Sequence, residues 1–246
     1  MSSKQPKLVL RESCVHDVSR DWPAGSFLEM GAGTGHMTGL FLDRGFNGAG
    51  YDLGAESREM MRANLGRFRN RFEVVDDTAS LVPGSFDYLF AFEVLEHIEN
   101  DLQALSEWAG FLRSGGRLLI SVPAHARKYG RSDELVGHVR RYERREVELL
   151  LTQAGFKDIQ ITNYGFPITE LTRRISNALV KGDRSYDSMS PEERSIRSAQ
   201  AKPRVINRIL AHSNERLVRP FCAMQRWFYR RDWGDGYVVS AIKATA

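Results

Sequence analysis

Cysteine is scarce in this 246-residue chain, with Cys14 and Cys222 the whole supply. Two thiols so far apart do not resemble a disulfide framework, so the sequence predicts a reduced, cytoplasmic protein. Long apolar runs are missing as well. None approaches the ~20 residues of a membrane span, and the amino terminus has no apolar signal core, so no spanning or secreted chain is expected. Repeats and low-complexity tracts are absent, which removes repeat arrays and biased linkers. What remains is an ordinary globular composition, 42% hydrophobic and 27% charged. That is enough for one large core, and the length favours one domain over residues 1–246 with an elaboration.

Net positive charge is lacking over the first two thirds and in surplus afterwards. From Glu170 onward there are 15 Lys/Arg against 8 Asp/Glu, while the whole chain carries only +4, which leaves −3 before Glu170. A basic carboxyl-terminal third suits an acidic substrate, nucleic acid, an anionic membrane surface or plain solvation. No transmembrane segment accompanies it, and peripheral membrane contact stays open, as does the oligomeric state.

Up to about residue 160, strand-like and helix-like segments alternate. "SFLEM" (Ser26–Met30) leads through glycines into the amphipathic "HMTGLFLDRG". "NGAGYD", a helical "AESREMMRANL" and "RFEVV" follow. "FDYLFAF" (Phe86–Phe92) then precedes "EVLEHIEND", whose spacing predicts a helix with Glu93, Glu96 and His97 on one face. "GRLLISV", a helix at "RREVELLLTQAG" and a strand at "KDIQITNY" close the series. This alternation predicts an α/β doubly wound sheet of parallel strands with crossover helices. The final "GYVVSAIKA" reads as a strand able to complete the sheet. Residues 165–236 form a mostly helical, arginine-rich insertion before it.

"LEMGAGTGHMT" sits between the first strand and its helix, where glycines let a ligand approach the backbone at the helix's partly positive end. A dinucleotide fingerprint needs a third glycine at position 36, which is His36. The pattern is instead Glu29, Gly31, Gly33 and Gly35. An acid before the loop repels a pyrophosphate and suits a cationic amino group, which disfavours a nicotinamide cofactor. Asp52 ends the second strand, placed for ribose hydroxyls, and Asp77 ends the third, placed to accept from an adenine amine.

In "LEMGAGTG", Asp52, "VVDDTASLVPGSFDYLFAFEVLEHI" and "LRSGGRLLISVP", taken in order, the chain resembles the class I S-adenosylmethionine-dependent methyltransferases. The resemblance covers most of Ser26–Ile161 and the last strand. It implies a Rossmann-like, mostly parallel sheet with an antiparallel last strand and a single methyltransferase domain. S-adenosylmethionine would be held by Glu29, Gly31, Gly33 and Gly35 at the methionine part, Asp52 at the ribose and Asp77 at the adenine.

Within that family "EVLEH" resembles the Glu-x-x-Glu-His element of two metal-dependent branches, the O-methyltransferases of ubiquinone biosynthesis and the small-RNA 2′-O-methyltransferases. By that resemblance Glu93, Glu96, His97 and a later histidine, His138 with His125 as the alternative, would ligate a divalent metal: Mg, Mn, Fe or Zn. His97 and His138 are also the candidate catalytic residues, as general bases if no metal is bound. The plain alternative is an acidic helix start with packed histidines. The arginine-rich "VRRY" around His138 departs from the RNA branch, although Arg140 and Arg141 suit a carboxylate or phosphate clamp. The expected reaction is O-methylation of a small-molecule acceptor. RNA 2′-O-methylation and metal-free N-, C- or carboxyl methylation are the alternatives. The stripe of Leu217, Phe221, Met224 and Phe228, flanked by Arg216, Arg219, Arg226, Arg230 and Arg231, makes the insertion a lid, a substrate wall or a dimer surface.

Overall fold

The computed structural model describes residues 5–180, 188–190, 193–194 and 215–245. In chain order the elements are α1 (Pro6–Ser19), β1 (Ser26–Met30), α2 (His36–Asp43), β2 (Asn47–Tyr51), α3 (Ala55–Leu65), β3 (Phe72–Val74), β4 (Phe86–Phe92), α4 (Asp101–Phe111) and β5 (Leu112–Pro123). There follow α5 (Arg131–Val136), α6 (Arg144–Gln153), β6 (Phe156–Tyr164), α7 (Ile168–Val180), α8 (Glu215–Gln225) and β7 (Gly236–Lys243). The strands make a seven-stranded sheet in the order β3-β2-β1-β4-β5-β7-β6. β1 pairs in parallel with β2 and β4, and the β2–β3 and β4–β5 pairs are parallel too. The sheet is mostly parallel, with antiparallel pairing at its last strands.

The expected doubly wound sheet is therefore present. Its winding reverses between β1 and β4, and the loops that leave the carboxyl ends of those neighbours flank the crevice where open α/β sheets bind ligands.

The described chain divides into two compact units. One comprises Trp22–Ser121, Arg145–Gln160 and Val239–Ala246; the other comprises Met1–Asp21, Val122–Arg144 and Ile161–Val238. In the first, strands of Phe, Leu, Val and Ala lie buried, as parallel strands covered on both faces require. An aromatic ladder fills its centre. Phe41 stacks on Phe90 with ring centroids 4.1 Å apart, and Phe27 stacks on Phe90 at 5.2 Å. Each such fully buried ring stabilises the fold by about 1.5–3 kcal/mol. The strands that carry the ligand loops are thereby rigid.

In the second unit α1 packs against α8 and α7. Gln225 of α8, buried, donates to the Leu10 carbonyl at 3.0 Å and accepts from the Gly165 amide at 3.1 Å. Arg226 and Tyr229 both donate to Asp17. The sequence reading does not anticipate α1, although Pro6 at its first turn and the buried Leu10 and Cys14, one turn apart, are helix signals.

One expectation needs correction. Glu93, Glu96 and His97 do not share a helix face. Glu93 has φ +57°, outside the right-handed helical region, and Leu95–His97 is a single 3₁₀ turn; α4 starts only at Asp101. The residues after a parallel strand must first climb off the sheet, and this sequence spends eight of them, Glu93 to Asn100, doing so. Much of the insertion, residues 181–187, 191–192 and 195–214, lies outside the described residues, and so do the side chains of Arg216 and Leu217.

Candidate active site

The glycine loop is built around two backbone needs. Gly31 and Gly33 have φ of +65° and +56°, a region that costs a residue with a Cβ roughly 1–2 kcal/mol. Their surroundings differ. A Cβ on Gly31 would lie 2.5 Å from Val94 Cγ2, so the loop after β1 touches the loop after β4 there. A Cβ on Gly33 would meet nothing within 4 Å. The bare backbone of Gly33 faces open space, a cradle for a ligand that needs close approach.

One carboxylate stands directly against that cradle. Asp52 is almost fully buried and accepts the Gly33 amide on Oδ2 at 2.8 Å and the Gly54 amide on Oδ1 at 2.9 Å. Two backbone donors fix its plane, and each oxygen retains a lone pair for a ligand hydroxyl. Glu29 is 1% exposed at the end of β1 and accepts the Thr38 hydroxyl at 2.7 Å. Asp77 is exposed, and its side chain caps the turn Thr78–Ser80 by accepting from the Ala79 amide at 2.9 Å. Arg58 binds the Asp52 and Leu53 carbonyls as well as Asp76, which ties the ends of β2 and β3 together. This donor and acceptor set fits S-adenosylmethionine: a buried carboxylate for an ammonium, an oriented one for the ribose, and an uncluttered glycine backbone between them.

Across β1, the loop after β4 carries the next group. The Glu93 amide donates to the Ser121 carbonyl at 2.9 Å and the Ser121 hydroxyl donates to Glu93 Oε1 at 3.2 Å. Bonds from β5 thus hold Glu93 in its left-handed conformation, the kind of strain that is retained where a side chain must be aimed. Glu96 is 0% exposed and His97 half-buried in the following turn. A wholly buried carboxylate is stable as an anion only with strong partners, hydrogen-bond donors or a cation. Glu96 and His97 belong to one group of ligand atoms within 4.8 Å of one another, and Glu93, held by Ser121, is not in it. A carboxylate and an imidazole are donors that fit a divalent ion of intermediate hardness.

His138 belongs to the second unit. The chain reverses at Gly137 after α5, and His138 Nδ1 lies 2.9 Å from Asp133 Oδ1. Arg141 is buried, not a surface clamp: its Nε donates to Asp133 Oδ1 at 2.9 Å and a terminal nitrogen to Asp235 Oδ1 at 3.0 Å. Burial alone would push the Asp133 carboxyl up, but the His138 bond and the Arg141 charge outweigh it and hold the group below the usual carboxylate range.

His125 follows β5 with φ +66° and is 3% exposed. Its Nδ1 lies 3.5 Å from Glu143 and its Nε2 3.8 Å from Asp232. Burial and then the Lys128 charge depress its pKa, against the pull of Asp232 and Glu143, so it is held neutral more firmly than a free imidazole. The sequence reading missed Thr38, Ser121, Asp133 and Asp235. Thr38 lies three residues beyond Gly35 and was within reach of a helix-start argument. The others act through residues distant in sequence.

Residues 10–161 match the family described as a methyltransferase domain. A ubiquinone biosynthesis O-methyltransferase of Xanthomonas campestris pv. campestris (strain B100) is 29% identical over 103 residues, 40% of this chain and 43% of that protein. One of the same description from Dechloromonas aromatica (strain RCB) is 26% identical over 98 residues, 38% and 42% of the two chains. The aligned segment thus spans about two fifths of the length of these relatives. Among solved structures, a Haemonchus contortus phosphoethanolamine N-methyltransferase 2, in complex with phosphomonomethylethanolamine and S-adenosylhomocysteine, superposes with a TM-score of 0.61 at 18% identity, covering 96% of this chain and 52% of that one. A SAM-dependent methyltransferase from Archaeoglobus fulgidus gives 0.57 at 16% identity, covering 97% and 94%. With the family match running through the glycine loop, Asp52 and the turn after β4, the chain belongs to the methyltransferase domain family.

Proposed function

We propose that this protein transfers the methyl group of S-adenosylmethionine to a hydroxyl oxygen of a small-molecule acceptor, with a divalent cation held by Glu93, Glu96, His97 and His138. The observation that carries the cofactor part is the open backbone at Gly33 beside the doubly anchored Asp52 carboxylate. Glu29 and Gly31 to Gly35 hold the methionine part, Asp52 the ribose and Asp77 the adenine. The O-methyltransferase relatives favour oxygen as the acceptor atom, over the shared segment only.

In the transfer the S–CH₃ bond breaks and an O–CH₃ bond forms, and the sulfonium keeps the electron pair and becomes a neutral thioether. The acceptor hydroxyl must lose its proton. Where no cation is bound, His97 or His138 takes it at a ring nitrogen, His138 having its other nitrogen held by Asp133. A bound divalent cation, when present, makes such a hydroxyl a stronger acid. Much of the rate comes from positioning, because the oxygen must lie in line with the S–CH₃ bond. We take residues 165–236, much of which lies outside the described residues, as a lid, a substrate wall or a dimer surface of a single methyltransferase domain. Both cysteines are free thiols, which supports a cytoplasmic enzyme. Among the described residues no helix is long and apolar enough to cross a membrane.

The test is a screen of catechol-like, carboxylate and RNA acceptors with labelled cofactor, before and after exhaustive chelation. Transfer to small hydroxyl compounds, lost on chelation and restored by Mg²⁺, Mn²⁺, Fe²⁺ or Zn²⁺, is the expected result. Transfer to RNA alone overturns the acceptor, and full activity in the chelated protein overturns the metal.

A further inference from the structure

Asp133 does not touch the glycine loop or the turn after β4 in sequence, and no short motif singles it out. It is nevertheless among the most heavily bonded carboxylates of its unit. It is 2% exposed, in the first turn of α5. Its Oδ1 lies 2.9 Å from both His138 Nδ1 and Arg141 Nε, and its Oδ2 accepts the Gly130 amide at 2.9 Å. The Asp133 carbonyl also accepts the His138 amide at 3.0 Å, and the His138 carbonyl accepts the Tyr129 hydroxyl at 2.8 Å. The histidine is gripped at its backbone on both sides and at one ring nitrogen.

Behind Asp133 stands a second layer. Arg141 reaches past it to Asp235 and to the Ala124 carbonyl at 3.2 Å. Arg173 Nε lies 3.3 Å from the same Asp235 oxygen, and Lys7 Nζ 3.8 Å from the other. Removing one member of such a buried ionic set leaves its partners uncompensated, so the arrangement is rigid.

Chemistry then decides the ring's protonation. Arginine is only a donor, so Asp133 Oδ1 is an acceptor toward Nε, and an ionised carboxylate can only accept. His138 Nδ1 must therefore bring the hydrogen. We propose that Asp133, backed by Arg141 and Asp235, is a positioning residue that fixes His138 as the Nδ1–H tautomer and so places the ring lone pair on Nε2. That tautomer is the reverse of the one an unconstrained imidazole favours. It is the form able to bind a cation or accept a proton through Nε2, as metal-ligating histidines do when a carboxylate holds the other nitrogen. The orientation stands on this geometry alone; its use in turnover rests on the role given to His138 above.

The experiment separates the two. Long-range ¹H–¹⁵N spectra of the uniformly ¹⁵N-labelled full chain, near pH 8, report which ring nitrogen of His138 carries hydrogen, with His138→Gln identifying the signals. The wild-type ring should be protonated at Nδ1, and Asp133→Asn should shift it towards Nε2–H. The same variant should lower kcat and Mn²⁺ affinity by about 10–100-fold and leave S-adenosylhomocysteine binding intact. A wild-type Nε2–H ring overturns the positioning role even if the variant fails to fold. A tautomer that changes in the variant with kcat and Mn²⁺ affinity unaltered keeps the positioning and overturns the use of His138 in the reaction.

Discussion

Two glycines with nearly the same backbone should respond differently to one added methyl group. In Gly33→Ala the backbone at φ +56° costs about 1–2 kcal/mol, and no neighbour lies within 4 Å of the new Cβ. For a chain of this size that lowers the melting temperature by roughly 2–8 °C, at about 2–4 °C per kcal/mol. Gly31→Ala bears the same strain at φ +65° and adds a Cβ 2.5 Å from Val94 Cγ2 and 2.9 Å from Cγ1. Overpacking of that kind costs a further 1–3 kcal/mol or so. Melting each protein with and without S-adenosylhomocysteine at 100 times its Kd separates stability from site. The wild type should gain about 2.7 kcal/mol, or roughly 5–10 °C. Gly33→Ala should lose most of that gain, because its methyl occupies the space left for the ligand, while its unliganded melting falls least. A full ligand shift in Gly33→Ala would refute the cradle. Equal unliganded melting of the two variants would refute the Val94 contact as a packing constraint.

Further outcomes follow from the other groups. Asp52→Asn swaps an acceptor for a donor against the Gly33 or Gly54 amide, so titration calorimetry should show cofactor-product affinity down roughly 10–100-fold, the worth of a charged hydrogen bond. Glu96→Ala should abolish metal-stimulated turnover and leave that affinity nearly unchanged; turnover that still responds to added Mn²⁺ would remove Glu96 from the ligand set. His125, whose pKa in the fold lies below its unfolded value, is protonated first in the unfolded chain. Its contribution is therefore complete above pH ~6.5 and is lost as the pH falls below it. Denaturant titrations between about pH 5 and 7 should show a shallower pH slope for His125→Gln than for the wild type.

How legible this molecule was differs from residue to residue. The spacing of Glu29, Gly31, Gly33, Gly35 and Asp52 could be read directly, because a strand that ends in a tight turn before a helix imposes its chemistry within a few residues. The alternation of segments likewise carried the parallel sheet, since buried parallel strands need continuous apolar runs and crossovers need amphipathic ones. The turn after β4 was misread as a helix. Its composition of Glu, Leu and His satisfies helical periodicity, but bonds from Ser121, on the neighbouring strand, hold Glu93 at a positive φ. Arg141 looked like surface charge and is buried against Asp133 and Asp235, the latter 94 residues away in sequence. A sequence by itself determines what depends on neighbours along the chain: turn glycines, strand ends and the order of the elements. Only the tertiary structure decides which carboxylate a buried cation meets and which nitrogen of a histidine is held, because those depend on desolvated partners that the fold brings together from distant segments.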